Sequence, residues 1–292
     1  MRLWPAVAAV AALTLVACGS AGGSAGAPSP SPISPPTEAL AGWSNFPADH
    51  MPRPVVLIIA TPAPSKGFST NEGKIAATCR KFTPAIVLSN VVPIAAHVSW
   101  STGDTGIYPS ISAAAAMAAM KQGASKSDPN CATVKPLVVT GVRFGRSELI
   151  SDRGTAQVDS WLFSMRGLNG EMAYPALSAE SMWNFDLTKS VPENGSTLSA
   201  DGRTLTYSFF GVPSSTGPCG ADYRGVVAES QVAVAIAVQT ISHAPPGQPV
   251  ACDLMAGVRS VTVTLANALG GRVVLDDTGN AMAVCPSTKP VC

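Results

Sequence analysis

The chain has little charge and few residues of the kind that do chemistry. Charged side chains make up 13% of its 292 residues, the formal net charge is +1, and only three histidines are present. No basic stripe or acidic tail stands out, which argues against nucleic acid as a partner. No G-x-G-x-x-G follows a strand pattern and no phosphate loop occurs, so a nucleotide has no motif to hold it. No CxxC or Cys/His spacing suits zinc. No cofactor or metal is therefore expected. Beyond the N-terminus the longest apolar run lies near residues 232–241 (VAVAIAVQTI). It is about half the length a bilayer requires. What the chain does have is 26 glycines and 25 prolines among many Ala, Val, Thr and Ser residues, as in short strands joined by turns.

Roughly 40 residues at the N-terminus read as signal and linker, which leaves enough chain for one large β domain or two ordinary ones. That length buries a real core, so disulfides would reinforce the fold without being its only support. Arg2 is a minimal n-region, and residues 3–16 form an apolar stretch too short to span a membrane. Leu15-Val16-Ala17-Cys18-Gly19 follows. This pattern resembles the lipobox of bacterial lipoproteins, in which a diacylglyceryl group is attached to the cysteine and cleavage falls just before it. The resemblance implies lipidation at Cys18, removal of residues 1–17, and a protein anchored to the outer face of the cell membrane. Residues 19–37 (GSAGGSAGAPSPSPISPPT) are too polar to form a core. As a tether they would hold the folded part roughly 25–60 Å from the bilayer.

Six cysteines remain: Cys79, Cys131, Cys219, Cys252, Cys285 and Cys292. An even number in an exported chain points to disulfides, with many connectivities open in principle. Order along the chain favours Cys79–Cys131, Cys219–Cys252 and Cys285–Cys292.

The expected fold is mainly β, with two β-rich domains of sandwich or partly open barrel type. They follow a linker over residues 18–40 and occupy residues 41–190 and 191–292. Residues 54–60 (PVVLIIA) read as a buried strand, and residues 85–100 as two strands broken at Pro93. Residues 72–82 fit a strand or a short helix. Residues 112–122 (SAAAAMAAMKQ) make the one convincing helix, capped by Ser110 or Ser112. Residues 147–165 read as a hairpin turning at Asp152-Arg153-Gly154, its tip solvated. Asp201-Gly202 marks a second hairpin. Residues 232–241 and 259–265 alternate as strands.

Residues 204–211 (TLTYSFFG), 219–230 (CGADYRGVVAES) and 259–284 (RSVTVTLANALGGRVVLDDTGNAMAV) resemble a β module of secreted and lipoprotein chains of actinobacteria. Residues 136–163 resemble the domain that often precedes it. The resemblance implies fold and compartment and brings no catalytic residue with it.

Candidate chemistry is sparse. Asp104-Thr105-Gly106 and Asp277-Thr278-Gly279 carry the triplet of aspartic proteases, but Asp104 lacks the apolar strand before it and the second triplet reads as a turn. His50, His97 and His243 have no Gly-x-Ser-x-Gly elbow. Trp43, Trp100, Trp161 and Trp183 could stack a ring ligand, though burial is the better expectation for at least three. The sequence is therefore read as a non-catalytic, membrane-anchored lipoprotein that binds a small ligand or an envelope protein. The alternatives are a secreted hydrolase and a solute-binding lipoprotein of a transporter, which would need two helix-rich lobes.

Overall fold

A period of two in apolar residues dominates after residue 96, and strands form there. The computed structural model describes residues 34–58, 64–122, 129–183, 195–213, 217–245, 247, 250–252 and 256–288. Cys18, the signal, most of the tether, the 190/191 boundary and Cys292 lie outside the described residues. Within them the chain is mainly β, with thirteen strands and three α-helices.

The first sheet contains β1 (Phe82–Pro84), β2 (Ala96–Trp100), β3 (Thr105–Tyr108), β4 (Leu137–Ser151), β5 (Gly154–Met165) and β6 (Glu171–Pro175). Its order is β1-β4-β5-β2-β3, and β6 also pairs with β5. The long β4–β5 hairpin closes through Ser151 opposite Gly154. Gly154 sits at φ +85°, a left-handed conformation that glycine adopts without a Cβ penalty. One face of the sheet packs on α2 (Ala113–Lys121) around Met117, Met120, Phe163 and Trp100. Ser112 caps α2 by accepting from the Ala115 N–H, worth about 1 kcal/mol. Residues 72–82 resolve as helix α1 (Asn71–Thr78) leading into β1, with Thr70 accepting from the Gly73 N–H. The Cys79–Cys131 disulfide ties the end of α1 to α3 (Pro129–Thr133).

The C-terminal part is a two-sheet sandwich. One sheet is β12 (Val273–Leu275), β10 (Ala233–Ser242) and β9 (Ala221–Glu229). The other is β11 (Gly257–Thr264), β8 (Thr204–Gly211), β7 (Ser196–Leu198) and β13 (Val284–Pro286). Leu205, Phe209, Val234, Ile236, Val261 and Met282 share the core between them. Strand β10 is apolar at every position from 233 to 237 because both its faces are covered. Val234 and Ile236 face the sandwich core, while Ala233 and Ala235 pack with Trp43, Phe46 and Val56 of the N-terminal segment. Small residues on that second face let the segment approach closely. At Gly271 an added Cβ would lie 2.3 Å from the Ala48 carbonyl oxygen.

Two expected strands are absent as strands. Residues 54–58 make only single bridges, Val55 to Met182 and Leu57 to Ser151. Pro52 and Pro54 lack the N–H a ladder needs. The segment is buried nonetheless, with Val55 and Leu57 in the core of the first sheet and Val56 in the core beside β10. It forms the seam between the two parts. Residues 59–60 of that expected strand are outside the described residues. Of residues 85–100 only Ala96–Trp100 is a strand. The stretch before it runs over the surface with Val87, Val91 and Ile94 exposed, and Pro84 and Pro93 cannot donate to a ladder at its ends.

Candidate functional site

Hairpin tips are normally solvated, and the expectation for Asp152-Arg153-Gly154 was of that kind. The structure corrects it. Ser151 is 0% and Asp152 2% exposed, because the seam and the C-terminal strand close over the tip from two sides. The Asp152 N–H donates to the Val56 carbonyl at 3.0 Å, and the Val284 N–H donates to the Asp152 carbonyl at 3.0 Å. The seam also brings in Arg53, 7% exposed, whose Nη2 pairs with Asp152 Oδ2. The Tyr108 hydroxyl holds the Arg53 backbone by donating to its carbonyl at 2.8 Å. Arg153 lies with its guanidinium carbon 3.6 Å from the centre of the Trp100 ring.

Arg53, Asp152, Arg153 and Val284 line a cavity of about 320 Å³. Leu198, Ala200, Leu269, Val284 and Pro286 add an apolar wall, and Thr102, Asp104 and Ser287 add polar groups. The polar floor is incompletely paired. Arg53 Nη1, Asp152 Oδ1 and Arg153 Nε are all buried without a hydrogen-bond partner. Burial lowers the Arg53 guanidinium from its ordinary value despite the pull of Asp152. Burial likewise pushes the Asp152 carboxyl up, against the opposing effect of Arg53 and Arg153. Buried polar groups are nearly always satisfied, and a half-satisfied charged cluster is costly to keep. A concave site that joins charged side chains to an apolar wall makes this the candidate binding site.

The remaining charged groups near the cavity serve structure. Arg272 donates from Nη1 to Glu229 Oε2 at 2.7 Å and from Nη2 to the Asn267 and Ala268 carbonyls at 2.7 and 3.0 Å. It locks the loop before β12. Burial alone would raise the Glu229 carboxyl, but the Ala266 N–H and Arg272 outweigh it and hold it below the ordinary carboxylate range.

No protein-family model, no curated protein and no solved structure matches the chain. The site is accordingly judged on its own geometry.

The other sequence candidates are dispersed. Asp104 is exposed at the cavity wall. Asp277 sits in a separate turn, where the neighbouring Asp276 accepts from the Thr278 and Asn280 N–H groups at 2.9 and 2.8 Å. The triplets are not a facing pair in one cleft. His97 Nδ1 is 3.0 Å from Asp159 Oδ2, and Arg146 pairs with the same carboxylate at 3.2 Å. Ser147 and Ser160 bond each other at 2.7 Å. His243 pairs with Asp222 at 2.9 Å on the surface, and His50 is exposed. Trp43, Trp100 and Trp161 are buried, as expected. Their indole N–H groups donate to the Gly279 carbonyl, the Ser151 hydroxyl and the Ile111 carbonyl. Among the described residues no cluster of three His, Cys, Asp or Glu side chains suits a metal. No helix there is long and apolar enough to cross a membrane.

Cys79–Cys131 and Cys219–Cys252 are disulfides, the pairings expected from chain order. Cys285 is disulfide-bonded too, and Cys292 lies outside the described residues. Arg53 and Asp152 were missed as site residues by sequence reasoning. An arginine between two prolines and an aspartate at a hairpin turn carry no signal of burial.

Proposed function

We propose that this chain is an exported, lipid-anchored binding protein without a catalytic role. Its lipidated Cys18 would hold it at the outer face of the cell membrane, and its small ligand would enter the cavity over Arg53, Asp152 and Arg153. The observation that carries the binding reading is the cavity itself, about 320 Å³, whose lining joins Arg53, Asp152 and Arg153 to the apolar Leu198, Leu269, Val284 and Pro286. The disulfides fit an oxidising compartment outside the cytoplasm.

Two measurements test this. For the anchor, the parent and a Cys18→Ala variant are expressed with their own leader and fractionated. The parent should stay with membranes and the variant should be released. Equal membrane retention would refute the anchor. For the site, a library of small acids, alcohols and amines is screened by saturation-transfer NMR. The parent is set against Ala200→Trp, which places an indole at the exposed edge of the cavity. Hits lost in the variant support the site, and hits that survive unchanged place binding elsewhere.

A further inference from the structure

The charges around the cavity balance one another. Arg53 pairs with Asp152, and Arg272 pairs with Glu229 at 2.7 Å. Arg153 and Asp104 remain, one cation and one anion in the same lining. The site is therefore neutral as a whole. Its polar side chains are engaged as well. The Thr102 hydroxyl donates to Asp104 Oδ2 at 3.0 Å. The Ser199 hydroxyl donates to Asp201 and accepts from the Thr204 N–H at 2.9 Å. The Arg153 guanidinium lies on the Trp100 ring. The unpaired atoms of Arg53, Asp152 and Arg153 are sealed beneath this lining, so nothing that enters the cavity meets them. What an entering molecule does meet is Leu198, Leu269, Val284 and Pro286 on the wall, with the exposed Ser287 and Thr288 at the rim.

Resting on the cavity as the ligand site, we propose that it takes an uncharged aliphatic molecule with one small polar end. The body lies against the apolar wall, where withdrawal of each methylene from water favours binding. The polar end stays at the rim beside the Ser287 and Thr288 hydroxyls. At roughly 30 Å³ for each water-sized group, a cavity of about 320 Å³ holds about ten non-hydrogen atoms. A carboxylate would gain Arg153 and meet Asp104, and an alkylammonium would do the reverse. Either exchanges its hydration for a balanced pair of charges, which is unfavourable. A hydroxyl at the far end of the body would be buried on the apolar wall without a partner.

The test titrates octan-1-ol, octanoate, octylammonium and octane-1,8-diol into the Cys18→Ala chain, which carries no lipid to compete for them. Methyl NMR shifts of Leu198, Leu269 and Val284 are the local readout. Octan-1-ol should bind tightest and move these methyls. Octanoate, octylammonium and the diol should each bind at least about tenfold more weakly, roughly the cost of one poorly compensated polar group. Asp104→Asn, at an exposed position, unbalances the lining. It should strengthen octanoate about threefold, in the range of an exposed charge pair, and leave octan-1-ol unchanged. If octanoate or octylammonium matches octan-1-ol, the uncharged class is overturned. If the diol matches it, the aliphatic body is overturned. In both cases loss of binding in Ala200→Trp keeps the cavity as the ligand site. If Asp104→Asn leaves octanoate unchanged, the charge balance is overturned as the reason for the choice. If no probe moves these methyls, this ligand class is overturned. If the probes bind in the proposed order but Ala200→Trp leaves them unaffected, the cavity reading itself fails.

Discussion

Arg272 is the side chain whose loss should be felt most sharply outside the cavity floor. It is 8% exposed. Its guanidinium holds Glu229, the Asn267 and Ala268 carbonyls, and the Leu269 carbonyl at 3.2 Å through Nε. Truncating it leaves the half-buried Glu229 carboxylate without its charged partner and several carbonyls without their donor. Breaking a buried ion pair from one side costs about 3–5 kcal/mol. Arg272→Met isolates that term, because methionine keeps much of the apolar stem. At about 4 kcal/mol, a domain of this size should lose on the order of 10 °C in Tm. Arg272→Lys keeps the charge but has one compact ammonium in place of a planar fork, so it should fall between the two. The assay is urea unfolding at neutral pH, followed by circular dichroism and tryptophan fluorescence. The reasoning is refuted if Arg272→Met unfolds within about 1 kcal/mol of the parent, or if lysine fully substitutes for arginine.

Gly271→Ala should lower stability by more than about 2 kcal/mol, since the new methyl meets the Ala48 carbonyl at 2.3 Å; limited proteolysis should show the segment around Ala48 cleaved faster than in the parent. Replacing both Cys79 and Cys131 by alanine opens a 52-residue separation and should cost about 4 kcal/mol by chain entropy, read as a lower urea midpoint and insensitivity to reductant at that bridge. Phe163→Ala, at a site 0% exposed, should cost about 3–5 kcal/mol, whereas Ile94→Ala on the exposed loop should stay within about 0.5 kcal/mol; equal effects would mean that the core is misplaced. The Glu229 carboxyl is held lower in the folded chain than in the unfolded one, so its contribution is complete above the ordinary carboxylate range and drains away as pH falls through it. Tm differences between parent and Glu229→Gln should therefore shrink on acidification from about pH 5 to pH 3, and a constant difference would remove Glu229 from the account.

Much of the local architecture was legible because it is encoded by neighbours in the chain. Ser112 before a run of alanine and methionine specifies a capped helix wherever it sits. The hairpins at Asp152-Arg153-Gly154 and Asp201-Gly202 follow from turn residues between alternating strands. The strict alternation of residues 259–265 matches β11 because one face of that strand is buried and the other exposed. The order of the cysteines along the chain already matched the two bridges. Failure began where a segment's partners are distant. Residues 54–58 are apolar enough for a strand, but their prolines and the two cores on either side turn them into a seam. Residues 85–95 are equally apolar, yet Val87, Val91, Val92 and Ile94 end up exposed, because the stretch forms no strand ladder.

The sequence by itself determined the mainly β character, the capped helix, the hairpin turns and the supply of paired cysteines, since short-range periodicity and turn chemistry act within a few residues. Only the tertiary structure decided that the tip of one hairpin is buried, that Arg53 meets Asp152 across 99 residues of chain, and that Arg53, Asp152 and Arg153 line one cavity. Burial of a charge depends on what packs over it, and here the covering pieces come from the N-terminal seam and the C-terminal strand β13, which no local pattern connects.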